Sequence, residues 1–289
     1  MKKLLFITGE GLGNVIECIP CVRTIKEHGV TLDFWFAHGS FPLPKIIPYV
    51  NKWFTGGERP KDINNYSGVM ATKWGQSLAK TLNLPLLNKV RQLTMNESEV
   101  SVYMKMADDL GIKNLFWHGN CMYTPTQEKY DIVISNGFNY KSDLDWSVKS
   151  YIYYSKVVSS LKKLGLTVCS VGAANEYVPG TTNKTNIGLL NTFGLIKNAK
   201  LVIANDSGMY HAANALETPN IVIFTATSIK KNYDKRFHKF ASVITRTDLP
   251  CKPCQPSKAW IRTCKNWKCR DIGHHIIINE VKKILKIQR

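Results

Sequence analysis

The tetrapeptide Asn205-Asp206-Ser207-Gly208 follows the apolar run Leu201–Ala204 and precedes a segment carrying Ala212, Ala213 and Ala215. A strand that delivers such a turn to the start of a helix aims the free N–H groups of Ser207, Gly208 and Met209 at an anion, phosphate above all. Asp206 is ill matched to a phosphate but well matched to sugar hydroxyls. In the plainer reading, Asp206 or Ser207 only caps the helix. His211, one turn further on, reaches the same ligand or serves the packing.

A second loop, Gly9-Glu10-Gly11-Leu12-Gly13, also sits between an apolar run and a helical pattern. Gly11 and Gly13 let a ligand approach the backbone closely. A dinucleotide fingerprint would need a glycine where Asn14 stands and an acid at the end of the second strand, where the chain has Ala37-His38. Asp33 comes too early, and no Gly-Lys-Ser/Thr follows, which excludes a P-loop. Glu10 and Glu17 are the carboxylates nearest in sequence, and either could deprotonate a hydroxyl; a solvated loop acid is the bland alternative.

Four of the eight cysteines crowd together as Cys251-x2-Cys254-x9-Cys264-x4-Cys269. That spacing suits a structural zinc or iron held by four thiolates, with free thiols and disulfides as alternatives. Four thiolates leave no open position, so no catalytic metal is expected. Lys252, Lys258, Arg262, Lys265, Lys268 and Arg270 lie among these cysteines with Trp260 and Trp267, a mixture suited to phosphates and stacked rings or simply a solvated basic face. The net charge of +18 is concentrated late, residues 126–289 holding 25 Lys/Arg against 11 Asp/Glu. An anionic partner is expected: nucleic acid, a phosphorylated glycolipid or a membrane surface.

The elements that must position these groups alternate. Lys3–Thr8 and Thr31–Phe36 read as strands around a helix with Val15, Ile16, Ile19, Val22 and Ile25 at helical spacing. A strand over Tyr66–Thr72 and helices near Gln76–Leu82 and Glu97–Leu110 follow. The alternation restarts near residue 125: strand Asp131–Ser135, helix Ser147–Leu164, strand Leu166–Val171, helix Ile187–Asn198, strand Leu201–Ala204, helix Gly208–Leu216 and strand Ile221–Phe224. A helix from Ile276 to Ile287 shows Ile277, Val281, Ile284 and Leu285 on one face. Two Rossmann-like domains are expected, 1–125 and 126–289, the second bearing the cysteine-rich basic knuckle (251–270) and the final helix. No apolar run is long enough to span a bilayer. The opening Met-Lys-Lys-Leu-Leu-Phe-Ile reads as a buried strand rather than a signal peptide, which points to the cytoplasm.

The segment Gly11-Leu12-Gly13-Asn14-Val15-Ile16 with Pro20, the pairing of Lys141 with Trp146, and the stretch Asp206 to Pro219 together resemble glycosyltransferase family 9, the heptosyltransferase-like enzymes. The resemblance implies the GT-B fold, an α/β architecture of two Rossmann-like doubly wound domains facing a cleft, with the acceptor on the N-terminal side. It implies inverting transfer from a nucleotide-diphosphate sugar, usually ADP-heptose, to a lipopolysaccharide core sugar, with peripheral contact at the inner membrane face. Lys141 would hold the diphosphate, Asp206, Ser207 and Gly208 the phosphate and sugar, and Glu176 the ribose. Cysteine clusters resembling an iron knuckle occur in some relatives. The family's usual base is an aspartate where this chain has Asn14, which cannot act as a base; Glu10 is the expected substitute, then Glu17. A second acceptor class is hydroxymethylated bases of DNA, which would make this a DNA-modifying enzyme, and a different class is a non-catalytic nucleotide-sugar or nucleic-acid binder.

Overall fold

The computed structural model of the chain describes residues 3–9, 11–36, 46–137, 146–254, 264 and 267–287. Glu10 and Lys141 therefore lie outside the described residues. The chain forms two compact units, Met1–Met122 with Tyr233–Phe237, and Tyr123–Asn232 with His238–Arg289.

The first unit contains β1 (Lys3–Thr8), α1 (Leu12–Glu17), α2 (Ile19–Glu27), β2 (Thr31–Phe36), β3 (Trp53–Thr55), β4 (Gly68–Ala71), α3 (Gln76–Lys80) and α4 (Glu99–Asp109). Its sheet is parallel in the order β3-β2-β1-β4. Leu4, Leu5, Phe6 and Ile7 are all buried, as expected where helices cover both faces of a parallel strand. Strand order reverses between β1 and β4. The glycine loop after β1 thus lies at the switch point, where open α/β sheets bind ligands.

Asp33, buried in the middle of β2, is an anchor for this unit. Its carboxylate accepts hydrogen bonds from Tyr66 Oη at 2.6 Å, Asn51 Nδ2 at 2.9 Å and the Lys52 N–H at 3.1 Å, and pairs with Lys3 at 2.9 Å. Burial alone would raise its pKa, but these partners together hold it below the usual carboxylate range. The returning segment 233–237 is tied to the same unit by similar means. Asp234 Oδ2 accepts from Ser98 Oγ at 2.7 Å, and the Arg236 guanidinium lies 3.3 Å from the centroid of the Trp117 ring.

The second unit contains β5 (Ile132–Ser135), α5 (Tyr154–Lys163), β6 (Val168–Gly172), β7 (Thr182–Thr185), α6 (Leu189–Asn198), β8 (Leu201–Asn205), α7 (Gly208–Ala215), β9 (Asn220–Phe224), α8 (Ile229–Asn232), β10 (Ala241–Thr245) and α9 (His274–Leu285). The parallel sheet runs β10-β9-β8-β5-β6-β7. Counted from β5, this is the doubly wound order 3-2-1-4-5-6, with its switch point between β5 and β8. Ile132, Ile134, Ile203 and Ile223 from the sheet pack with Val157 and Leu161 of α5 and Ile277 and Val281 of α9. The expected terminal helix thus closes one face.

The helix expected over 147–164 is interrupted. A 3-10 turn covers Trp146–Lys149 and α5 begins only at Tyr154. The backbone between them is used elsewhere: the Tyr151 N–H donates to Asn205 Oδ1 at 3.2 Å, and the Ser150 carbonyl accepts from Arg270 Nε at 2.8 Å. Strands β3, β7 and β10 were not anticipated. β7 reads Thr-Asn-Lys-Thr, an edge strand with no apolar face.

Replacing Asp33 with Ala leaves Lys3, Tyr66 and Asn51 without their shared acceptor and is expected to cost about 3 kcal/mol, measured by urea denaturation. Because the folded-state pKa is depressed, the stabilisation is complete above the unfolded carboxylate value, roughly pH 4, and is lost as pH falls through the folded one. The variant should lack this acid-limb component.

Candidate functional site

The turn after β8 sits at the switch point of the second unit. Asn205, at the end of the strand, is fully buried. Its Oδ1 accepts from Tyr154 Oη at 2.9 Å as well as from Tyr151 N–H, and its Nδ2 donates to Asn136 Oδ1 at 3.2 Å. Ser150 Oγ donates to the same Asn136 oxygen at 2.9 Å. This network joins the ends of β5 and β8 and holds the 146–151 turn beside them. The turn in turn places Lys149, whose Nζ donates to the Asp206 carbonyl at 3.1 Å and lies 3.5 Å from Asp206 Oδ2.

Asp206 is buried, and its Oδ2 accepts from Asn232 Nδ2 at 2.7 Å. Asn232, the last residue of α8, is fixed through its carbonyl by Tyr210 Oη at 3.1 Å. Ser207 is the N-cap residue of α7 with extended backbone, yet its side chain makes no capping bond. Among the described residues, its buried Oγ has no hydrogen-bond partner. Neither side chain caps α7. Gly208 and Met209 open the helix, so their N–H groups have no carbonyl one turn back to bond. A cationic amine, an unpaired hydroxyl and helix N–H groups therefore lie at one turn, chemistry that can hold a phosphate.

His211 is buried and pairs through Nδ1 with Nε2 of His238 at 2.9 Å. The ring of Tyr210 stacks on His238 at 4.7 Å. Burial, then the positive charges of Lys149 and Lys231, push the His211 pKa down to about 3. The imidazole is neutral at physiological pH, one nitrogen donating and the other accepting.

Glu176 lies in the short turn after β6. Its Oε2 accepts from the Ala173 N–H at 2.9 Å. A Cβ placed on Gly172, which has φ +130°, would come 2.0 Å from this oxygen, and one on Gly137 would come 2.9 Å from it. Two glycines thus make room for a single carboxylate at the ends of β5 and β6. Nearby, a cavity of about 280 Å³ is lined by residues including Asn136, Ser150, Tyr151, Tyr177 and Arg270.

In the first unit, Gly11 precedes α1 with φ −67°, and a Cβ there would meet nothing nearer than Asn14 Oδ1 at 3.7 Å. The glycine is not required by backbone strain; it leaves the loop uncovered. Gly13 lies within α1, and Glu17, at its far end, is buried. Asn14 Nδ2 donates a short hydrogen bond to Oε2 of Glu99. Glu99, equally buried, is a carboxylate that no local pattern links to the glycine loop.

The four clustered cysteines are free thiols. Cys269 and Cys254 share a small apolar cluster with Val148, Ala226 and Leu249, and burial followed by the neighbouring Cys254 pushes the Cys269 thiol up to about 11. Cys251 is exposed and Cys264 half-buried. Among the described residues, no three of these sulfurs gather within 4.8 Å of one another. Two of the interleaved cations serve the protein itself. Lys252 Nζ donates to the Phe224 carbonyl at 3.0 Å and to Thr245 Oγ1, and Arg270 holds the Ser150 carbonyl. Lys258, Arg262, Lys265 and Trp260 lie outside the described residues.

Both units, parallel and doubly wound, are Rossmann-like, and the fold is that of the GT-B glycosyltransferases. Residues 146–261 match the sequence model of Glycosyltransferase family 9 (heptosyltransferase), so this stretch is a glycosyltransferase domain and the resemblance drawn from the Asp206–Pro219 segment stands. Similar solved structures include a family 9 glycosyltransferase from Veillonella parvula, with 13% identity, TM-score 0.73, and 99% of this chain and 98% of that one covered. The ADP-heptose LPS heptosyltransferase II of E. coli gives 16% identity, TM-score 0.69 and 99% of each chain. The iron-containing dodecameric glycosyltransferase TibC of enterotoxigenic E. coli gives 14%, TM-score 0.70, and 99% and 76%. At these identities the likenesses show the fold. No curated protein matches the chain.

The depressed pKa of His211 has a stability consequence. Between about pH 3 and the unfolded value near 6.5, the unfolded chain binds a proton that the folded chain does not, so stability is full above about 6.5 and falls as pH drops. His211→Gln is expected to flatten the dependence of Tm on pH between 6.5 and 4, read by calorimetry. An unchanged slope would show that His211 is charged in the folded protein.

Proposed function

We propose that the chain is an inverting glycosyltransferase that moves a sugar from a nucleotide-diphosphate donor of the ADP-heptose type to a hydroxyl of an anionic acceptor, a lipopolysaccharide core sugar. The observation that carries this reading is the Asp206-Ser207-Gly208 turn at the β5/β8 switch point, with Lys149 and the unpaired Ser207 hydroxyl beside it. In the reaction the acceptor oxygen bonds the anomeric carbon as the diphosphate departs with the bonding pair. The α7 N–H groups with Lys149 and Lys141 would stabilise the charge that develops on the leaving oxygen. Glu176 would accept from the ribose hydroxyls. Asp206, oriented by Asn232, would face the sugar, and neutral His211 would back the turn. With these charges in place the donor half needs no catalytic metal.

The acceptor is proposed as a phosphorylated glycolipid at the cytoplasmic membrane face, since the +18 charge favours an anionic surface. A DNA acceptor has less support, because Lys252 and Arg270 are bonded into the protein. The cysteine segment is proposed as a structural zinc or iron site on its donor set of Cys251, Cys254, Cys264 and Cys269. Its described sulfurs are not drawn together as ligands, so no step is assigned to a metal.

Calorimetric titration with ADP and ADP-heptose is expected to show binding, weakened at least tenfold by Lys149→Met and by Glu176→Gln. Failure of the wild-type protein to bind any nucleoside diphosphate or its sugar would overturn the reading. Elemental analysis of protein purified without added metal should give about one zinc or iron per chain, lost in Cys254→Ser/Cys269→Ser. A metal-free, fully stable wild type would show that the thiols are only packed.

A further inference from the structure

We infer that Glu99 is the general base of this transferase, held for that task by Asn14; the assignment rests on the glycosyltransferase reading above. Transfer to a hydroxyl requires a group that takes its proton as the new bond forms. Asn14 occupies the first turn of α1, directly after the loop at the β1/β4 switch point, and an amide cannot take that proton. Its side chain is arranged to orient a carboxylate instead. The amide oxygen faces Gly11, and the amide N–H donates to Glu99 Oε2.

Glu99 arrives from α4, 85 residues away in sequence, and three features fix it. It is the first residue of α4, whose N-cap Ser98 accepts from the Ser101 N–H at 3.1 Å, so its carboxylate sits at the helix end that favours negative charge. Ser98 also donates to Asp234 at 2.7 Å, which anchors that helix end to the returning segment 233–237. Tyr103, one turn along α4, directs its hydroxyl at the same Glu99 oxygen from 3.4 Å. The second described carboxylate of the region, Glu17, stands one turn further along α1 than Asn14, about 4.5 Å deeper from the loop. Glu99 is therefore the described carboxylate bonded to the first turn of α1, the end of that helix that follows the loop.

In the step, the acceptor O–H gives its proton to a Glu99 carboxylate oxygen while the acceptor oxygen bonds the anomeric carbon. The bond from that carbon to the diphosphate oxygen breaks, and the diphosphate leaves with the electron pair. Asn14 keeps the carboxylate aimed and stays uncharged throughout.

The test follows ADP release from ADP-heptose with a lipopolysaccharide core oligosaccharide as acceptor, across pH 5 to 9, in the wild type, Glu99→Gln, Asn14→Asp/Glu99→Gln and Glu17→Gln. ADP affinity and Tm are measured alongside. Glu99→Gln is expected to lower kcat on the order of 10²–10³-fold with ADP affinity unchanged, and to replace the rate plateau by a continuous rise with pH. Exchanging acid and amide across the same hydrogen bond in Asn14→Asp/Glu99→Gln should restore both the plateau and at least tenfold of the rate. Folded Glu99→Gln with wild-type kcat and pH profile would overturn the assignment alone, as would the same loss confined to Glu17→Gln. A wild type that neither binds ADP nor releases it from ADP-heptose would overturn the transferase reading and this assignment together.

Discussion

The second unit is organised by the side chain of one buried residue, Asn205. An amide at the end of a central strand carries two donors and an acceptor that are costly to leave unpaired away from water. Here the oxygen accepts from the Tyr151 backbone and the Tyr154 hydroxyl, and the nitrogen donates to Asn136 across the switch point. Satisfying that amide interrupts a helix that periodicity alone would continue. The interruption is what brings Lys149 against Asp206. A residue in which a sequence reader sees only the start of a phosphate turn thus fixes the cation, the acid and the cavity wall around it.

What was legible in the sequence is what local chemistry controls. Buried parallel strands such as Leu4–Ile7 and Leu201–Ala204 are nearly all apolar, and α9 shows its buried Ile277 and Val281 at helical spacing. The turn at Asp206 is read from a strand, a glycine and three alanines close together. The short strands β3 and β7 escape because they are edge strands without a buried face to impose a pattern, and β10 because only Ile244 of its residues is buried. Lys149, Asn232, His238 and Glu99 escape for a different reason. Each acquires its role from a partner brought close only by the fold, 57 residues apart for Lys149 and Asp206 and 26 for Asn232 and Asp206. Even the glycines follow this rule, since Gly137 and Gly172 are explained by Glu176 rather than by their own neighbours.

Some of the basic residues are used inside the fold. A basic excess in sequence speaks of partners only where the cations are solvated. Lys252 is half-buried and bonded to a strand carbonyl, and burial lowers its pKa. Arg270 closes the broken helix, Arg236 lies flat on Trp117, and Lys149 faces an acid. These four are therefore not wholly available to an outside anion.

The carboxylates lead to the same division of labour. Asp206 accepts from Asn232 and lies beside Lys149, so a proton placed on it would disrupt both contacts. Glu176 is enclosed between two glycines and bonded to a backbone N–H, which suits binding a hydroxyl without abstracting its proton. Asp131 and Glu128 are paired with Lys200 and Lys184. Of the described acids, Asp206 and Glu176 are thus held by partners of their own. The proton-accepting step is assigned to the first unit, where the amide at position 14 is bonded to an acid, Glu99.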